Sequence, residues 1–168
     1  MGMSLSGDVF WGFDLGWSDD IEEDEMPQWW QNDEEWEEVL ARALGWVEAP
    51  HPTWPEGLND YRIAGEERDR IRTQFETTPE YQTWSENRSQ LHSLVESIGV
   101  EIDSYGYEYG ARAVRVKASA QRCDYSARRL TDLVVGPGWP EELARFCELL
   151  ELRVPAEGPG WHVCASWG

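Results

Sequence analysis

Acidic side chains at helical spacing are the residues here whose arrangement most suggests chemistry. Asp33 and Glu37, and Glu34 and Glu38, stand four apart on a segment where Trp36, Val39, Leu40, Ala43 and Leu44 form one apolar helix face. Carboxylates so spaced lie about 5–6 Å from each other, close to the repeat of successive phosphates along a nucleic-acid strand. Each like-charge pair costs a helix about 0.2–0.5 kcal/mol, and the positive helix N-terminus offsets this only in part. Folding alone therefore gives little reason to place them there. Upstream, Asp19, Asp20, Glu22, Glu23, Asp24 and Glu25 extend the row, and Trp29, Trp30 and Trp36 offer hot-spot area. The chemistry implied is electrostatic: a row of carboxylates occupying a basic cleft built to hold DNA or RNA. The plainer alternative is that the acids keep the tryptophans up to Trp54 in solution.

A basic island is the second constellation. Residues 111–129 hold Arg112, Arg115, Lys117, Arg122, Arg128 and Arg129 against one acid, Asp124. On a strand, Arg115 and Lys117 share a face, and with Tyr105, Tyr107 and Tyr109 as stacking surfaces they could hold a phosphate-bearing nucleotide ligand. Internal pairing with the acidic arm, tying it to the sheet, is the favoured reading. His162 and Cys164 share a strand face, the geometry of a conceivable Cys–His nucleophile pair, although a cysteine on a strand usually serves packing. Residues 11–16 are similar to the Asp-Leu-Gly phosphate turn of the actin and sugar-kinase fold, but the following Trp17-Ser18-Asp19-Asp20 would repel phosphate. Neither Cys-x-x-Cys nor His-x-x-x-His occurs, so no metal site is expected. No Gly-rich phosphate loop or serine nucleophile elbow occurs either. The expectation is no catalytic residue and no cofactor, with His51 and His92 as loop and helix-surface residues.

These residues need elements to position them. Residues 8–17 suit a short strand or an aromatic plug. Dense acids over 19–25 favour an extended loop. The first helix is expected over 33–44, with Asn32 and Glu35 as a capping box and Gly45 at the exit. Residues 46–58, with Pro50, Pro52 and Pro55, read as a surface linker. A second helix is expected near 60–76 on Tyr61, Ala64, Ile71 and Phe75. A third starts at Thr78-Pro79, is striped by Tyr81, Trp84, Leu91, Leu94, Val95 and Ile98, and ends at Gly99. Alternation then changes to period two: 100–104 and 111–119 read as a hairpin. Short helices near 125–133 and 140–151 follow, the latter on Leu143, Phe146, Cys147 and Leu150. A closing strand should join the hairpin, with Trp161, Val163, Ala165 and Trp167 on one face. The order, helices and then β-β-α-β, predicts an α+β fold with a small, mainly antiparallel sheet and the C-terminal strand at its edge or centre. Residues 1–58 form the acidic, Trp-rich arm, helix and linker, and 59–168 the α+β domain, together one compact unit.

Composition narrows the function classes. The first fifty residues carry fourteen acids against Arg42 alone and six of the eleven tryptophans, a net −13 out of −19 for all 168 residues. Such a field repels nucleic acid and anionic membrane and attracts basic protein surfaces. Twenty-one aromatic residues argue against simple disorder. No apolar run approaches the roughly 20 residues of a membrane span, and no signal peptide is visible at the N-terminus. Cys123, Cys147 and Cys164, odd in number and widely spaced, suit free thiols in a reducing bacterial cytoplasm.

The strings Asp8 to Gly16, Val114 to Ser119, Phe146 to Leu150 and Gly160 to Gly168, with the acidic Trp-rich stretch, resemble small uncharacterised acidic proteins of bacteriophages. That resemblance implies an accessory protein able to block a host nuclease, restriction enzyme or CRISPR complex. The leading expectation is thus a non-enzymatic inhibitor occupying the nucleic-acid-binding cleft of a basic host protein. A small-ligand sponge on the basic hairpin and a structural phage protein are the rivals.

Overall fold

The computed structural model describes residues 5–17, 26–32, 34–58, 63–105, 111–124 and 133–167. Along the chain these form β1 (Leu5–Trp17), α1 (Gln28–Gln31), α2 (Trp36–Ala43), α3 (Gly65–Glu76), α4 (Pro79–Glu96), β2 (Val100–Tyr105), β3 (Ala111–Val116), β4 (Gln121–Asp124), α5 (Trp139–Leu149) and β5 (Gly160–Trp167), with a 3-10 turn at Lys117–Ser119. The fold is mixed α+β, with an antiparallel, curled sheet.

β1 is the central strand. β3 pairs with its second half, Gly12 to Trp17, and β4 with its first, Ser6 to Val9. β5 runs along the opposite side, from Leu5↔Trp167 to Gly12↔Gly160. The 3-10 turn between β3 and β4 opens a gap in the ladder opposite Trp11. Ser119 closes it: its buried hydroxyl accepts from the Trp11 N–H at 2.8 Å and donates to the Val116 carbonyl at 2.6 Å. A buried N–H left without a partner is costly, which explains a polar side chain here. Gly12 meets the same strand closely, since a Cβ there would sit 2.0 Å from the Val114 carbonyl oxygen. Past it, the register slips between Asp14 and Gly16, where a positive φ of 79° and a bond from the Gly16 N–H to Asp14 Oδ1 at 2.7 Å form a bulge. The Asp-Leu-Gly stretch is therefore a bulge within a strand rather than a phosphate turn.

One sheet face carries the core. Trp11, Phe13, Val100, Ile102, Val114 and Val116 pack against Leu40 and Ala41 of α2, Leu91 and Val95 of α4, and Leu143, Phe146 and Cys147 of α5. α4 starts as its sequence dictates, with Pro79 in the first turn and Thr78 accepting from the Tyr81 N–H at 3.3 Å.

Three expectations need correction. The helix expected over 33–44 is split: α1 is one turn, closed by the Glu34 N–H on the Trp29 carbonyl, and α2 starts after Glu35 with no side-chain cap. Asn32 caps the C-terminus of α1 instead, because burial of Trp29 reverses the chain there. The closing strand joins β1, not the hairpin, and lies at the sheet edge. Of its expected apolar face, Trp161 packs on the core, against Trp139, while Val163 is 75% exposed and Ala165 is exposed; the side chain of Trp167 lies outside the described residues. β1 comes from the N-terminal segment and is flanked on both sides by later strands. α3 begins at Gly65. Residues 60–62 and the helix expected near 125–133 lie outside the described residues, apart from Leu133 at its end.

Candidate functional site

Asp19, Asp20, Glu22, Glu23, Asp24, Glu25 and Asp33, the larger part of the expected acidic surface, lie outside the described residues, as do Tyr107 and Tyr109. The rest of the surface is built by α1 and α2. Trp29 is 6% exposed and donates from Nε1 to the Leu150 carbonyl at 2.7 Å. An indole so placed is a core anchor and offers no area to a partner, which corrects its assignment as a hot spot. Trp36 meets Phe146 edge to face at 5.8 Å, half-buried beside the same core. Trp30 differs: it stacks on Trp29 at 5.7 Å, stays half-buried, and lines a pocket of about 280 Å³ with Leu15, Met26, Pro27 and Leu152.

The α2 carboxylates divide by environment. Glu34 pairs with Arg42, and that guanidinium together with the Asn32 amide holds its carboxyl below the usual range. Glu38 pairs with Arg88 of α4. Glu37 is half-buried, and loss of solvent, together with repulsion from Glu35 and Glu38, raises its pKa. The row is therefore partly neutralised within the molecule: two of the three described acids at these positions carry an arginine.

The basic hairpin is engaged. Arg115 bridges Glu101 at 2.8 Å and Asp103 at 2.6 Å, both on β2. Lys117 donates to the Val95 carbonyl at 3.2 Å. The Arg112 guanidinium lies 4.7 Å over the Trp30 ring, a cation–π contact. Internal pairing thus occurs, and for Arg115 the carboxylates come from the neighbouring strand. Among the described residues, Arg112 ties α1 to the sheet through Trp30. Arg115 and Lys117 also part company, since Lys117 belongs to the 3-10 turn.

The face of the sheet away from the helices gathers side chains that the sequence left scattered. Strand alternation and register put Asp8, Phe10 and Asp14 of β1 with Glu101, Asp103 and Tyr105 of β2, Arg115 of β3, and His162 and Cys164 of β5. The Tyr105 hydroxyl donates to Asp14, and burial together with that carboxylate pushes the phenol's pKa up. His162 stacks on Phe10 at 5.4 Å. Cys164 stands across from Asp8, and burial first, then the charge of Asp8, raises its thiol. Thiolate is the nucleophilic form, so this surrounding disfavours a Cys–His nucleophile. Cys147 is pushed up to about 11 by burial in the core, and the side chain of Cys123 lies outside the described residues. Asp14 and Tyr105 could be matched only through the pairing of β1, β3 and β2, because they lie 91 residues apart. No cluster of three or more His, Cys, Asp or Glu residues suited to a metal occurs among the described residues.

No helix among the described residues is long and apolar enough to cross a membrane. No family model, no curated protein and no solved structure matches the chain.

Proposed function

We propose that this is a non-enzymatic binding protein whose acidic surface occupies the basic, nucleic-acid-facing cleft of another protein. The observation that carries the reading is charge: −19 over 168 residues, with −13 in the first fifty. Among the described residues of that segment, Glu34 and Glu38 are held in ion pairs. In the bacteriophage setting that the sequence resembles, the partner is a host defence or DNA- or RNA-processing protein, and the mechanism is displacement of nucleic acid. Association is steered by opposite fields and weakens as salt shortens their range. The rival nucleotide sponge loses support because Arg112, Arg115 and Lys117 are all engaged within the molecule.

The test is affinity capture from a bacterial lysate at low salt, eluted with a salt gradient, and then competition of the captured protein between this chain and DNA or RNA. A variant with Asp19, Asp20, Glu22, Glu23, Asp24 and Glu25 replaced by Asn or Gln should lose capture and competition. Deleting the segment through Glu38 would be a poor test, because it removes Trp29 and Trp36 from the core. Capture that persists in the neutralised variant, or partners that bind no nucleic acid, would defeat the proposal.

A further inference from the structure

The proline-rich stretch after α2 is fixed in place rather than draped over the surface. Asn87 of α4 acts as a surrogate strand edge for it. Its amide donates to the Val47 carbonyl at 2.9 Å, its side-chain oxygen accepts from the Ala49 N–H at 2.9 Å, and its own carbonyl takes the Trp46 indole N–H at 3.1 Å. Pro52 and Leu58 are buried beyond it. The stretch thereby brings His51 and Trp54 against α3 and α4.

There an aromatic cluster forms apart from the main core. Trp54 lies 5.0 Å from Phe75, 6.3 Å from Tyr81 and 6.0 Å from Trp84, with tilted or edge-to-face rings. His51 joins it at 5.6 Å from Trp54 and 5.4 Å from Trp84. His51 Nδ1 faces the Pro52 carbonyl at 2.9 Å, which assigns the proton to Nδ1 and leaves Nε2 to accept from the Trp54 indole at 3.4 Å. Trp54 remains 42% exposed. Beside it runs a groove of about 410 Å³ lined by His51, Pro50, Pro52, Pro79 and Glu80.

Acids outnumber bases in the segments around this cluster, and the flanking Arg42, Arg72 and Arg88 are paired with Glu34, Asp69 and Glu38. The two segments that build it, 43–58 and 73–87, carry Glu48, Glu56, Glu76, Glu80 and Glu86 and no Lys or Arg. All five carboxylates are exposed. An exposed indole, a rigid proline-lined groove and a carboxylate in its wall together fit a planar cation: the guanidinium stacks on the ring and donates to the acid. The chain already makes the first of these contacts internally, with Arg112 over Trp30.

We propose that the groove lined by His51, Pro79 and Glu80, beside the exposed Trp54, receives an arginine side chain of a basic protein segment. This rests on the reading that the partner is a basic protein, and it adds a contact surface formed by residues other than the acidic run 19–25. The probe is a short Gly- and Arg-containing peptide at about physiological salt, compared with the same peptide carrying citrulline, which keeps the shape and removes the charge. Binding is followed by tryptophan fluorescence and by calorimetry. The arginine peptide should bind, and citrulline, Glu80→Gln or Trp54→Ala should each weaken it about fivefold or more, as loss of a cation–π or charged contact implies. Glu80→Gln changes an exposed residue, so it keeps the test valid if Trp54→Ala perturbs the cluster. The variant neutralised at 19, 20 and 22–25 should still bind the peptide.

Equal affinity for the citrulline peptide, indifference to Glu80→Gln, or loss of binding in the neutralised variant would each overturn the groove. So would a wild-type chain that ignores the peptide, even if it captures a nucleic-acid-binding protein. Peptide binding without such capture would leave the groove standing and remove the proposed function.

Discussion

Ser119 is a single side chain on which the sheet depends. It fills the ladder position that the 3-10 turn vacates, and it does so 2% exposed. Ser119→Ala leaves the Trp11 N–H buried without an acceptor, so a loss of about 1–3 kcal/mol is expected in chemical denaturation; a change near zero would mean that the strand relaxes to another partner. Glu37 gives a prediction of opposite sign. Its pKa is raised in the folded chain, chiefly by burial. Below the unfolded-state value the carboxyl is neutral in both states and costs nothing. As pH rises from that value through the raised folded one, ionisation increasingly favours unfolding, and above it the penalty is complete. Glu37→Gln should therefore raise the melting midpoint at pH 7, with the gain vanishing in acid. A gain that is the same at both pH values would assign the effect to something other than ionisation. No such argument was open from sequence, where Glu37 looked like one more solvated acid on a polar helix face.

Among the elements, β1 organises the fold, and its glycines set its path. Gly12 crosses β3 so closely that a methyl group would overlap backbone, which no side-chain rotation relieves. Gly12→Ala should cost at least the about 1–3 kcal/mol typical of overpacking. Slower exchange-protected amides of Phe13 and Val114 should become labile first, and unchanged protection would show that the strands can separate without loss. The helices were legible for local reasons. Thr78-Pro79 and the spacing of Leu91 and Val95 fix α4 whatever surrounds it. The split of α1 from α2 was not legible, because the 33–44 pattern satisfies helical periodicity and a capping box equally well. Burial of Trp29 under Leu150, 121 residues away, decided against it. Likewise β5 showed itself as a strand by alternation, yet its partner depended on where β1 ran.

At the scale of the whole molecule the surplus of charge dominates. With −19 on one chain, self-repulsion works against the compact state. Salt shortens its range from about 30 Å at 0.01 M to about 3 Å at 1 M. The melting midpoint at pH 7 should therefore rise as sodium chloride is added, while binding to a basic partner should fall over the same range. A midpoint that drops with salt would mean that the ion pairs of Arg42, Arg88 and Arg115 outweigh the repulsion. Charge of this kind is additive over residues, so the sequence by itself determined it, along with the α+β class, the capped helix α4 and the β2–β3 hairpin, all properties of near neighbours. Only the tertiary structure decided that Trp29 is core while Trp54 is surface, that Arg115 answers to Glu101 and Asp103, and that Asp14 meets Tyr105. Those outcomes depend on which strands pair and which face each side chain enters, and pairing across a sheet is settled by contacts between residues far apart in the chain.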